Sequence, residues 1–398
     1  MIGLLPAGAA MSAGYSAAAV LGEELTGSEW LGGLAAAAMT VGGAISALPL
    51  ARLMARKGRR PGLTYGYMVA CVGAGCGASA ALFHFYPLLV LGLLGIGCGN
   101  ATNLAARFAA ADLAEDDSRA KAIGGLVWAS TFGTVLGPSI GLGPAQAIAG
   151  KIGADPLLGP YLLCGVFFGL AATIIWRRLI PDPLLLSGIT LEPTLDSNLR
   201  SAGAALYKSP ATAIAIAAMM VAHAVMVGLM TMTPLHLRDG NHELQVVGLV
   251  ISFHVIGMYA LSPVIGWAAD RLGTLKVLLL GGLLLFGGAE IASHTNPEDS
   301  LGLFVGLFLI GLGWSCCLIS GSAIIVSDSP SPLRVQIQGL ADLLMTSSGA
   351  IAGLSSGLIV SFTNFHTLSH WGGLLSLLPA GVIVLRITLK RSGQPSRR

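Results

Sequence analysis

Three charged side chains lie inside long apolar runs of the chain: Arg107, Glu290 and Asp342. A charge at that depth costs roughly 2.5–3.5 kcal/mol on insertion scales, so such residues are functional candidates by default. Asp342 lies seven residues into a run that opens at 335, about 10 Å deep at the helical rise, beyond the reach of a short carboxylate to water. Its chemistry would be that of a protonation site or a gate; the plainer alternative is a neutral acid bonded to a backbone carbonyl. Gln338, one turn earlier, would share its network. Arg107 completes a stripe with Asn100 and Asn103 at i, i+3, i+7 spacing, which makes one polar helical face. The alternative for Arg107 is snorkelling to the surface. His223 and His254 fall near the middle of two further runs, and an imidazole that titrates near pH 6.5 suits proton coupling, although a buried histidine also serves as a structural donor. Tyr15, Met230, Met232 and Trp314 form a softer set, either aromatic and thioether walls for an amphipathic solute or ordinary packing. All six cysteines lie within apolar runs, so no disulfide is expected, and no zinc-like Cys/His spacing is present. No phosphate loop, nucleotide fingerprint or nucleophile–base arrangement stands in a plausible context, so neither a cofactor, nor a metal, nor a nucleic-acid partner, nor enzymatic activity is expected.

The elements that position these residues follow from composition. Of 398 residues 54% are hydrophobic and 10% charged, against about 25% charged in a soluble domain. The mean hydropathy of +0.78 leaves no room for a sizeable soluble domain. A hydrocarbon core of roughly 30 Å takes about 20 helical residues, and the apolar runs resolve into twelve spans: 1–22, 28–52, 63–83, 87–111, 120–147, 157–180, 209–236, 245–266, 275–295, 300–326, 335–362 and 368–391. The first has no basic n-region and reads as a span, not as a signal peptide. The polar segment from Pro181 to Ser209, with Asp182, Glu192, Asp196, Arg200 and Lys208, divides the chain into a bundle at 1–180, a linker at 181–208, a second bundle at 209–391 and a tail at 392–398. Placing the loop Arg52–Arg60 in the cytoplasm puts 19 of the 22 Lys and Arg residues on that side, with Lys151 and Arg238 outside and Arg107 within a span. The positive-inside rule then gives a multi-pass plasma (inner) membrane protein with both termini cytoplasmic. Abundant glycine, 55 residues, suits close helix packing.

The two halves repeat. Arg56-Lys57-Gly58 matches Arg271-Leu272-Gly273 at an offset of 215, Ile96–Asn100 matches Ile310–Trp314 at 214, and Arg119 and Gly124 match Arg334 and Gly339 at 215. Parallel six-span halves are one transporter design.

With these residues in place the chain resembles the major facilitator superfamily over essentially its whole length. The loop signature Gly-x-x-x-Asp-Arg-x-Gly-Arg-Arg is carried in the second half by Gly266, Asp270, Arg271 and Gly273. In the first half Arg56, Gly58, Arg59 and Arg60 fit, but the acidic position is Ala55 and the leading glycine is Ala51, so the usual loop charge relay is not expected there. Gly124, Gly133, Gly137, Pro138 and Gly141 follow the spacing seen in twelve-span drug/proton antiporters, with Leu142 in place of the last glycine. A glycine face would let the fifth span press on a neighbour, and Pro138 would kink it. The arginine such antiporters carry early in the fourth span is replaced by Gly92.

The resemblance implies an all-α membrane protein of two pseudo-symmetric six-helix bundles. Spans 1, 4, 7 and 10 would line a central cavity and bring Tyr15, Asn100, Asn103, His223, Met230 and Trp314 to the solute. Arg107, His254 and Asp342 would serve proton coupling or a gate, while Glu290 would lie on a peripheral span. Because the family closes its cytoplasmic gate where spans 4, 5, 10 and 11 converge, the resemblance implies that Arg107 and Asp342 pair in the outward-open state; the alternative is two independent groups, each satisfied within its own half. The implied function is a monomeric, proton-coupled exporter of small organic or drug-like compounds. A metabolite symporter or uniporter on the same fold is the alternative, and a membrane-embedded enzyme or sensor is a remote one.

Overall fold

The computed structural model describes residues 2–151, 153, 155–188, 199–242 and 244–392. Glu192, Asp196 and the tail from 393 lie outside the described residues. Those described fold into helices, with no strand among them: α1 (Leu4–Thr26), α2 (Glu29–Lys57), α3 (Arg59–Phe83), α4 (Tyr86–Asp112), α5 (Arg119–Ile140), α6 (Gln146–Lys151), α7 (Leu158–Arg178), α8 (Pro183–Leu186), α9 (Leu199–Lys208), α10 (Pro210–Asp239), α11 (Leu244–Tyr259), α12 (Ser262–Leu272), α13 (Thr274–Ser293), α14 (Ser300–Asp328), α15 (Arg334–Phe362) and α16 (Phe365–Ser392). Among the described residues, ten helical stretches are long and apolar enough to cross a membrane. Two further helices, α5 and α16, stand where the fifth and twelfth spans are expected.

Two irregularities differ from the sequence expectation. The fifth span stays α-helical through Pro138 to Ile140 and departs from that geometry in a π-helical turn at Gly141–Ala145, which contains Pro144. A proline has no N–H to give the i−4 carbonyl, and a wider turn is one way to absorb that loss. The eighth span is two helices, broken at Ala260 and Leu261 before Pro263, so that α12 begins as a new helix with proline in its first turn.

The chain divides into two compact units. One comprises Met1–Glu115, Gly125–Ala205 and Pro330–Ser347; the other comprises Asp116–Gly124, Leu206–Ser329 and Ser348–Arg398. The same turn chemistry serves both. Gly58 joins α2 to α3 with φ +96°, its N–H bonded to Met54 O at 2.9 Å. Gly273, at the repeat offset, joins α12 to α13 with φ +102°, its N–H bonded to Ala269 O at 3.1 Å. Only glycine adopts that conformation without a steric penalty. The close helix contacts repeat as well. In the first unit a Cβ on Gly73 would lie 2.6 Å from Gly92 O, and one on Gly92 would lie 2.6 Å from Gly73 O. In the second unit a Cβ on the matching Gly288 would lie 2.5 Å from Gly306 O, and one on Gly306 would lie 2.8 Å from Gly288 O. The expected small-residue packing thus reaches backbone contact in both α3–α4 and α13–α14.

Candidate functional site

In the first unit the end of α4 and the start of α15 carry a buried network of charges. Arg107, 1% exposed, forms a fork with Asp342: Nη2 reaches Oδ1 at 2.5 Å and Nη1 reaches Oδ2 at 3.3 Å. Arg107 Nη1 also donates to Leu104 O. Its guanidinium does not snorkel. It lies in the interior, and the carboxylate that neutralises it comes from a helix 235 residues away in sequence. Planar, bidentate geometry is the strong form of this interaction.

A second buried arginine lies beside the first. Arg59 Nε donates to Asp112 Oδ2 at 2.8 Å, with the two side chains 1% and 0% exposed. Arg59 Nη2 donates to Gln338 Oε1 at 2.6 Å. Ala55 contributes no carboxylate, and the acid that pairs with Arg59 is Asp112 at the C-terminus of α4. Gln338 and Asp342 are one turn apart on α15, so both arginines meet the same helix. Ala47, Ala51, Met54, Phe108 and Gly339 enclose a small pocket around these groups. A side chain at Gly339 would strike Ala51 Cβ, so small residues on both helices let α15 come close enough for the polar contacts. Asp112 carries no signal in the sequence that separates it from the acidic loop Glu115-Asp116-Asp117; its role follows from helix length alone.

The second unit contains a related arrangement. Gly124 and Gly266 bring the start of α5 against α12, since a Cβ on either would meet the other segment's backbone. Asp270 Oδ1 accepts from Ala120 N at 3.0 Å and Oδ2 from Lys121 N at 2.8 Å, which satisfies two first-turn donors of α5. A carboxylate there also meets the positive end of the helix dipole. An amide in its place keeps one acceptor and turns an N–H group toward the donors. We expect Asp270→Asn to cut transport several-fold, in line with about 1–2 kcal/mol for a lost cap, while Ala55→Asp leaves it near wild type. Initial rates per inserted protein check this, and a wild-type rate in Asp270→Asn would remove the cap from the mechanism.

The other predicted residues are placed as follows. Asn103 Oδ1 accepts from Tyr67 OH at 2.7 Å in the first unit. Asn100 is half-buried and lies near Gly43, and Tyr15 on α1 is 57% exposed. In the second unit Trp314 is buried, and its Nε1 donates to His223 Nδ1 at 3.0 Å. Tyr259 lies edge-on to the same indole. Trp314 therefore supports His223 and does not form an open wall. Met230 is half-buried and Met232 buried on α10. His254 is enclosed, with Nδ1 2.7 Å from Leu307 O, and ties α11 to α14. It belongs to a different unit from Arg107 and Asp342. Glu290 pairs with His370 Nδ1 at 2.8 Å, linking α13 to α16. Arg56 lies in the last turn of α2 and Arg271 in the last turn of α12, each next to its positive-φ glycine turn. Among the described residues no group of three metal-ligating side chains converges.

Comparison with known proteins agrees with this architecture. The Major Facilitator Superfamily model matches residues 1–354 and 216–398. The chain is 38% identical over 381 residues to the MFS-type transporter YdeG of Bacillus subtilis strain 168, covering 95% of this chain and 88% of that protein. It is 26% identical over 354 residues to the riboflavin transporter RfnT of Brucella anthropi, covering 88% and 85%. Among solved structures, the human organic anion transporter MFSD10 (TETRAN) has the same fold with a TM-score of 0.73 at 15% identity, covering 96% and 97%. A match along the entire chain, with relatives that are membrane transporters, makes this chain a multi-pass transporter that belongs to the Major Facilitator Superfamily.

Proposed function

We propose that the protein is a proton-coupled secondary transporter that exports small organic compounds across the inner membrane by alternating access, with both termini in the cytoplasm. The observation that carries this reading is the buried Arg107–Asp342 pair. A bare carboxylate holds the guanidinium, and a protonated one loses the Coulombic attraction, so a proton on Asp342 and the α4–α15 tie oppose each other. In this reading the pair is formed while the cytoplasmic side is closed and the solute site faces outward. Proton binding from outside weakens it, α15 separates from α4, and the site opens inward. Proton release to the cytoplasm restores the pair once solute has bound.

The groups proposed to meet the solute are Tyr15, Asn100, Asn103, His223 and Met230, with Trp314 bonded to His223. They offer hydrogen bonds and aromatic or thioether surface but no fixed charge of their own, which favours a neutral amphipathic molecule. A riboflavin transporter among the relatives is consistent with a solute of that kind.

Purified protein in inverted and right-side-out vesicles, under imposed pH gradients, tests coupling and direction together. Riboflavin is the first solute to try, followed by a panel of amphipathic aromatic compounds. Export by proton exchange gives solute accumulation in inverted vesicles with an acidic lumen. Accumulation only in right-side-out vesicles with an acidic exterior would overturn export and make the protein a symporter. His223→Ala is expected to raise the KM for solute about tenfold, the size of one lost hydrogen bond at a binding site. An unchanged KM would take His223 out of the site.

A further inference from the structure

The basic loop of the first unit is held by an acid that lies far from it in sequence. Asp182, in the segment that follows α7, accepts three backbone N–H groups. Its Oδ1 takes Arg59 N at 3.1 Å and Leu184 N at 2.9 Å, and its Oδ2 takes Arg60 N at 2.7 Å. One carboxylate thus caps the first turn of α3 and the first turn of α8 together. Gly58 lies directly against it: a Cβ there would stand 2.5 Å from Asp182 Oδ2. Arg60 holds the same turn from the other direction. Its Nε donates to Trp176 O at 2.8 Å, and its guanidinium carbon lies 4.1 Å from the centre of the Trp176 ring. Residues 58–60 are therefore clamped to the end of α7 through both backbone and side chain.

The residue between these clamps is Arg59. Its N–H is bound by Asp182, and its side chain ends on Asp112 and Gln338. In the second unit the corresponding acid is Asp270, in the last turn of α12; in the first unit that position is Ala55, in the last turn of α2. We propose that Asp182 is a positioning residue for transport, which supplies from the connecting segment the carboxylate that position 55 lacks and sets the backbone of Arg59 so that its guanidinium reaches Asp112 and Gln338. This rests on reading the Arg59–Asp112–Gln338 network as part of the transport gate. A direct consequence is that any pull on residues 181–188 is passed to the first turn of α3 and from there to Arg59. The start of the segment that follows α7 is then part of the gate.

The test compares wild type, Asp182→Asn, Asp182→Glu, Asp112→Asn and the Asp182→Asn/Asp112→Asn double variant in the full chain, in proteoliposomes. Amide exchange at Arg59 and Arg60 reads the cap. It is expected to speed up about tenfold in Asp182→Asn, as for a helix terminus released to local opening, and by less in Asp182→Glu. Unchanged exchange in both overturns the proposal, whatever transport does. Transport reads the path through Arg59. The maximal rate is expected to fall about tenfold in Asp182→Asn at unchanged KM, to recover in part in Asp182→Glu, and to be no lower in the double variant than in the worse single, since residues in one network do not add. A double variant whose loss is the product of the two single losses overturns positioning through Arg59. Wild-type transport in Asp112→Asn, with exchange still faster in Asp182→Asn, would instead remove the gate reading and leave Asp182 as a cap only. If Asp182→Asn is not recovered in the membrane, Asp182→Glu carries both readouts.

Discussion

Asp342→Asn is expected to abolish proton-driven accumulation of solute, by at least about a hundredfold. The size follows from burial. Both side chains of the Arg107–Asp342 pair are enclosed, at 1% and 4% exposure, and the guanidinium has left water entirely. Removing one partner of such a pair costs about 3–5 kcal/mol, mostly because the other charge stays buried without its counter-ion, and each 1.4 kcal/mol is a factor of ten. The two single variants differ in kind. Arginine cannot shed its proton, so Asp342→Asn leaves a permanent cation in the interior. In Arg107→Gln the remaining carboxylate can become neutral by binding a proton, as a carboxylic acid can where an arginine cannot. Arg107→Gln should therefore be better tolerated for folding, while losing coupling just as completely. The double variant removes both charges; it is expected to recover protein yield and downhill solute exchange, yet not gradient-driven accumulation. Counterflow and pH-driven uptake, measured side by side in proteoliposomes, separate these cases. Full gradient-driven uptake in Asp342→Asn would sink the assignment. A cysteine pair at 107 and 342 adds a structural check, because the pair should crosslink while the gate is closed and block the remaining downhill exchange when it does.

The two ends of this pair were legible in the sequence because each is an isolated charge in an apolar run, and the depth of Asp342 follows from counting residues. The pairing followed only from the family resemblance, which implies a gate where spans 4 and 11 converge, together with the similar depth of the two residues. Asp112 was not legible. It is the last residue of α4, three residues before an acidic loop, and nothing in composition separates a buried helix end from a solvated turn. Asp182 was hidden for a related reason: a proline-flanked acid in a polar segment reads as linker, and only the long-range hydrogen bonds to residues 59 and 60 reveal a cap. Trp314 shows the opposite failure. Its place as the counterpart of Asn100 suggested a cavity wall, yet an indole needs somewhere to send its N–H when buried, and His223 provides that acceptor. The glycines were the clearest signal of all. Gly58 aligns with Gly273 and Gly73 with Gly288 at an offset of 215, and Gly92 with Gly306 at 214, so one repeat carries both the turns and the helix packing.

The glycine face of the fifth span carries the second large prediction. In the first unit a Cβ on Gly133 would strike Leu5 O and lie 2.7 Å from Ala9 N, and one on Gly137 would lie 2.6 Å from Ala9 O. The obstacles are backbone atoms of α1, which cannot rotate aside as a side chain can. Ser12 Oγ donates to Thr134 O at 2.8 Å across the same contact and holds the two helices at this distance. A single added methyl must push α1 and α5 apart, and overpacking of that size typically costs about 1–3 kcal/mol. Gly133→Ala is therefore expected to lower transport about tenfold, and Gly133→Val to lower it to background. Gly75→Ala on α3 is the matched control, since a Cβ there meets nothing within 4 Å, and it should behave as wild type. Thermal stability in detergent, measured with transport, tells what the close approach is for. If Tm falls together with transport, the glycines serve packing of the first unit. If Gly133→Ala keeps its Tm while transport is lost, the contact matters for movement of α5 against α1 during transport. Wild-type Tm and transport in Gly133→Val would show that α1 and α5 do not meet at this distance in the working protein.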